Sequence, residues 1–136
     1  MSEQSLAERF AVAVAQKDRA ALIGVLHPEI DFEGMTPKRT WSASTPEQVA
    51  EVFAVWFDGD DVIERVDWVT TDAFSDRERA GYRLQVRNRG GLHVVEQQAY
   101  LSDRDGQIGW LRVLCAGFRP SDDDDPAGRD TTSLVT

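Results

Sequence analysis

AGYRLQVRNRGGLHVVEQQAYLS, running from Ala80 to Ser102, is the stretch on which the fold turns. Tyr82, Leu84 and Val86 alternate with Arg83, Gln85 and Arg87, the two-residue period of a half-buried strand. Asn88-Arg89-Gly90-Gly91 then supplies residues that accept positive φ, as a short antiparallel connection requires, and Leu92 to Ser102 resumes an extended pattern. Asp103-Arg104-Asp105-Gly106 repeats the turn signal before a further extended run, Ile108 to Phe118, and Val62 to Phe74 precedes the first. The spacing predicts a four-stranded antiparallel meander.

The chain on the N-terminal side of the meander reads as helical. Ser5-Leu6-Ala7-Glu8 is a capping box, followed on one face by Leu6, Phe10, Ala13 and Val14 to about Gln16. Asp18 can cap a second short helix that buries Leu22, Ile23, Val25 and Leu26 and stops at Pro28. Ile30-Asp31-Phe32-Glu33 alternates as a strand, Gly34 ends it, and Trp41 lies in a short extended segment. Thr45-Pro46-Glu47-Gln48 opens a third helix, with Val49, Val52, Phe53, Trp56 and Phe57 at helical spacing. The reading is one domain over residues 1–120 and an acidic tail over 121–136, beginning Ser121-Asp122-Asp123-Asp124-Asp125-Pro126 and expected to be disordered.

With 136 residues, 41% of them hydrophobic, the chain can build one core and has no room for a second domain. Its net charge of -9 repels phosphate backbones and anionic lipid, so neither nucleic acid nor membrane is an expected partner. Cys115 is the only cysteine, which excludes an intrachain disulfide and a cysteine-rich zinc site. No signal peptide or membrane-spanning run is read, and the expected location is the cytoplasm. No phosphate-cradling loop, dinucleotide fingerprint, nucleophile elbow or metal-ligand spacing occurs, so no cofactor and no metal are expected. His27 and His93 form no metal-binding or catalytic pair, and His93 is assigned to the outer sheet face.

Two helices, a short strand, a third helix and then the meander resemble the nuclear transport factor 2-like superfamily over roughly Ser5 to Pro120. That superfamily includes SnoaL-like cyclases, ketosteroid isomerases and limonene epoxide hydrolases. The most specific local features are Asp105-Gly106-Gln107-Ile108 leading into the last strand, and Ile30-Asp31-Phe32 following Leu26-His27-Pro28. The resemblance implies an α+β cone, with a curved antiparallel sheet wrapped around three helices, a pocket between them, and pairing through the convex face. It also places Phe10, Phe32 and Gln98 where the isomerases carry their tyrosine and two aspartates. Neither phenylalanine can move a proton or donate a hydrogen bond, so isomerase chemistry is not expected. The Asp-Arg-Asp relay of the epoxide hydrolases has no assignable counterpart.

The resemblance turns Val94, Glu96, Gln98 and Tyr100 inward on the penultimate strand. Glu96 would then be the one carboxylate deep in the cavity, its pKa raised by desolvation and suited to general acid or base work, with Gln98 and Tyr82 assisting. The alternatives are that Glu96 pairs with Arg83, Arg87 or Arg112, or that a bulge turns it to water. Phe10, Phe32, Trp41, Phe53, Trp56, Tyr100, Leu111, Val113 and Cys115 are the candidate lining residues, and each can equally be ordinary core. Trp110, Leu114 and Phe118 form an apolar set on the outer face of the last strand, which suggests a homodimer or a cover from the same chain. The expected function is binding of a small, mostly apolar molecule. The alternatives are a SnoaL-like cyclase, isomerase, dehydratase or hydrolase acting through Glu96, and a protein-binding adaptor using the convex sheet.

Overall fold

The computed structural model describes residues 4–122. Helix α1 (Leu6–Ala15) starts at the expected capping box: Ser5 Oγ accepts from the Glu8 amide and the Glu8 carboxylate accepts from the Ser5 amide. Helix α2 (Arg19–Val25) is capped by Asp18, and α3 (Pro46–Trp56) by Thr45 with proline in the first turn. The strands are β1 (Leu26–Thr36), β2 (Arg39–Ala43), β3 (Val62–Phe74), β4 (Arg77–Asn88), β5 (Gly91–Arg104), β6 (Gln107–Cys115) and β7 (Arg119–Pro120).

The sheet runs β2-β1-β6-β5-β4-β3, with β7 extending β5 beyond the end of β6. The meander is present, but the sheet is mixed rather than wholly antiparallel, because β1 and β6 run parallel. Two strands joined by a turn must be antiparallel; β1 and β6 are joined through α3 and three strands, and that long connection permits the parallel pairing. Strand β1 also begins earlier than its alternation suggests. Pro28 is accommodated in the irregular stretch between the pairs Leu26 with Ile108 and Asp31 with Trp110.

The concave face carries the core. Phe10, Phe32, Phe53, Trp56, Leu84, Leu101 and Leu111 are buried between it and the helices. Gly34 makes one close approach possible: a Cβ there would lie 2.7 Å from the Trp56 ring, so glycine lets α3 seat its indole on β1. Strand β6 stops at Cys115, short of the expected Phe118, since Gly117 adopts φ +90° and turns the chain into β7. Ser121 donates its amide to the Leu92 carbonyl and its hydroxyl to Gln85; the expected tail from residue 123 onward lies outside the described residues.

Candidate functional site

The register of the β4–β5 hairpin decides which polar groups reach the core. Asn88 pairs with Gly91 across a two-residue turn, so Tyr82 stands opposite Gln97 and Arg83 opposite Glu96. Tyr82 is inward, as expected, and therefore Gln97 is inward with it. Glu96, Gln98 and Tyr100 are on the outer face, contrary to expectation. No bulge separates them from Tyr82's register; the side-chain period of two excludes Tyr82 and Glu96 from one face. Glu96 pairs with Arg83 at 2.6 Å, Gln98 accepts from Arg79 at 2.9 Å, and Tyr100 packs against Phe74. Gly81 leaves room for the Arg79–Gln98 contact. His93, assigned to the outer face, lies inward near Phe118, for the same reason of parity.

On the inner face the register sets Cys115, Gln97 and Tyr82 side by side across β6, β5 and β4. Tyr82 donates to Gln97 Oε1 at 2.6 Å, and both residues are 1% exposed. Burial, and to a smaller extent Cys115, pushes the Tyr82 phenol well above its ordinary range, so it serves as a donor and not as a base. Gln97 Nε2 and Trp56 Nε1 are buried without a hydrogen-bond partner. Around this row the candidate aromatics form one cluster: Phe53 meets Phe10, Phe32 and Trp56, Trp41 meets Trp56 edge-on, and Phe10 meets Tyr82. Leu111, Val113 and Cys115 face the same core. Among the described residues the fully buried interior holds no carboxylate, histidine, lysine or arginine.

Two recesses open to solvent. One, with a volume of about 250 Å³, lies among the three helices and is lined by Val14, Leu22, Ala50, Phe53, Ala54 and Phe57, with Lys17, Asp18 and Arg19 at its mouth. Phe53 belongs both to this cleft and to the aromatic cluster, and so forms the partition between them. The other, about 550 Å³, is a shallow groove on the convex face lined by Asp67, Arg83, Gln85, Glu96 and Ser121. Its polar groups answer one another: Gln85 bridges Asp67 and Ser121, and Arg83 holds Glu96. Burial opposes ionisation of Asp67, but hydrogen bonds from Gln85 and Arg65 and the charges of Arg65 and Arg83 outweigh it and lower its pKa. Greater volume does not make the groove a better site, because a ligand would have to displace these bonds. No group of three or more His, Cys, Asp or Glu side chains placed to hold a metal ion occurs among the described residues.

No family model and no curated protein matches the chain. Solved structures do. An isomerase candidate from Rhodopseudomonas palustris superposes with a TM-score of 0.68 at 15% identity, over 84% of this chain and 91% of that one. A polyketide cyclase candidate from a Silicibacter species gives 0.66 at 14% identity, over 81% and 85%. An epoxide hydrolase of Mycobacterium tuberculosis, of the LEH-like type, gives 0.62 at 13% identity, over 81% and 79%. The chain has the nuclear transport factor 2-like fold. At these identities the likeness concerns architecture, and the chemistry of those proteins remains theirs.

On this nuclear transport factor 2-like fold, the cleft draws on residues that the strand-centred reading passed over, namely Val14, Leu22, Ala50, Ala54 and Phe57. All have apolar or small side chains at helical spacing and look like ordinary core. Gln97 was detectable, since the two-residue turn at Arg89-Gly90 already pairs it with Tyr82. The outer apolar set is also altered: Leu114 is exposed, Trp110 is flanked by the guanidinium groups of Arg77 and Arg112, and Phe118 turns away to pack on Phe57. No described helix is long and apolar enough to cross a membrane.

Proposed function

We propose that the chain binds a small, mostly apolar molecule in the cleft among its three helices. The observation that carries this reading is the cleft itself, a recess walled by Val14, Leu22, Phe53 and Phe57, with small side chains at Ala50 and Ala54 leaving the space. Its volume, about 250 Å³, suits a compact ligand. The interior behind Phe53 favours binding over proton transfer: its titratable groups are the Tyr82 phenol, held protonated, and the Cys115 thiol. Glu96, on the opposite side of the sheet in a partly exposed pair with Arg83, has no part in this reading. Solved neighbours named as isomerase, cyclase and epoxide hydrolase candidates support small-molecule handling on this fold, without choosing the molecule.

Naphthalene is a suitable first probe, rigid and without polar groups. Amide shifts in two-dimensional NMR should move at Ala13, Val14, Leu22, Ala50, Ala54 and Gly59 on titration, and Ala54→Phe, which fills the cleft from its exposed side, should abolish the change. Unperturbed cleft amides at saturating probe, or full binding by Ala54→Phe, would overturn the reading.

A further inference from the structure

The cleft has an apolar body and a mouth of one electrical sign. Around the mouth stand the carboxylates of Asp18, Glu51, Asp58, Asp60 and Asp61 against the cations Lys17, Arg19 and Arg89. Arg19 is paired with Glu51 at 3.2 Å and Arg89 with Asp60 at 3.1 Å. Lys17 directs its ammonium at backbone oxygens, those of Asp58 at 2.8 Å and Asp61 at 2.7 Å, thereby tying the α3–β3 loop to the α1–α2 turn. The balance of formal charge at the mouth is negative.

Helix direction adds to it independently. Ala13, Val14 and Lys17 bring the C-terminal end of α1 to the cleft, and Phe53, Ala54 and Phe57 bring the C-terminal end of α3. Neither helix has a basic residue in its last turn, so the partial negative charge of two sets of terminal carbonyls is left for the surroundings to answer. Only α2, which is seven residues long, points its N-terminus the other way. A protein of net charge -9 reinforces the local field.

From these observations we infer that the ligand class of the cleft is an apolar body with a cationic head, the body against Phe53 and Leu22 and the head at the mouth between the ends of α1 and α3. This rests on the reading of the cleft as a binding site and adds the sign of the ligand's charge. Carboxylates and sulfonates of the same shape are disfavoured. Lys17 already illustrates the preference, as the ammonium that the loop carbonyls hold.

The test uses three naphthalene probes of matched shape: 1-naphthylmethylamine in its protonated form, 1-naphthylmethanol, and 1-naphthoate. Affinities are taken from the same cleft amides by NMR at low ionic strength and again at high salt. The expected order is ammonium, alcohol, carboxylate, with steps of about three- to tenfold that shrink as salt screens the mouth. The double variant Glu51→Gln with Asp58→Asn removes two negative charges, and the new amide oxygen at position 58 can still accept from the Asp60 amide, as the carboxylate does. It should bind the alcohol as the wild type does, which reports an intact cleft, and lose most of the preference for the ammonium. Equal affinities for all three probes, or a carboxylate bound as tightly as the ammonium, would overturn the charge preference and leave the cleft as a binding site. Failure of all three probes would remove the binding site and the preference together.

Discussion

Tyr82 is the residue at which packing and chemistry meet. Its hydroxyl answers Gln97 Oε1 in a setting where Gln97 Nε2 already lacks a partner. Tyr82→Phe leaves both ends of that amide unanswered and should cost about 1–3 kcal/mol, read as a lower urea midpoint with an unchanged slope. The pH dependence follows from the raised phenol pKa. Unfolding returns the group to its ordinary value of about 10, so its contribution is complete below that pH and is lost as pH rises through the higher folded value. The stability gap between wild type and Tyr82→Phe should therefore narrow above about pH 10. A gap that widens there would contradict a protonated, buried phenol. Glu96→Gln supplies the contrast. The Arg83–Glu96 pair is more than a third exposed on both sides, so the substitution should change stability by less than about 1 kcal/mol and leave probe binding in the cleft unaltered. Loss of binding in Glu96→Gln would return that carboxylate to the functional site.

At the scale of elements, the β4–β5 hairpin was almost wholly legible in the sequence, and the misplacement of Glu96 came from combining two readings that cannot hold together. A two-residue connection between Asn88 and Gly91 sends Tyr82 and Gln97 to one face; family resemblance alone sent Glu96 there. The parallel pairing of β1 with β6 was not legible, because alternation reports which side of a strand is buried and not which neighbour it has. The role of Gly34 was hidden for a related reason: it reads as a strand terminator, yet it sits inside β1 beneath Trp56, a contact between residues 22 apart in sequence. Gly34→Ala puts a methyl group 2.7 Å from the indole, which the aromatic cluster can absorb only by moving Trp56 and Phe53. The expected cost is about 1–3 kcal/mol of overpacking, seen as a lower thermal midpoint together with a shift in tryptophan emission. An unchanged midpoint would mean that α3 can slide on the sheet at little cost.

For the whole molecule, element order was enough to identify the cone, whereas the cleft depends on how three helix ends converge, a property of angles that no local pattern records. The convex face poses the remaining question. Met35 and Leu114 are neighbours across β1 and β6 and are both more than half exposed; Tyr100 and Phe74 form a second apolar contact across the sheet. Between and around them Asp31, Glu33 and Asp72 alternate with Arg112 and Arg79. An isologous interface sets such a patch against a copy of itself, so interleaved charges can meet their opposites while the apolar pairs are covered. We propose that two copies of the chain associate through this face, with Leu114 nearer its centre than Phe118, which is engaged with Phe57. Leu114→Glu places an unpaired carboxylate in that interface and should weaken self-association about tenfold or more in sedimentation equilibrium. Ala54→Phe, altered only in the cleft, should associate as the wild type does. A wild type that stays monomeric at every accessible concentration, or a Leu114→Glu variant that pairs as tightly as the parent, would leave the convex sheet available to a different protein partner instead.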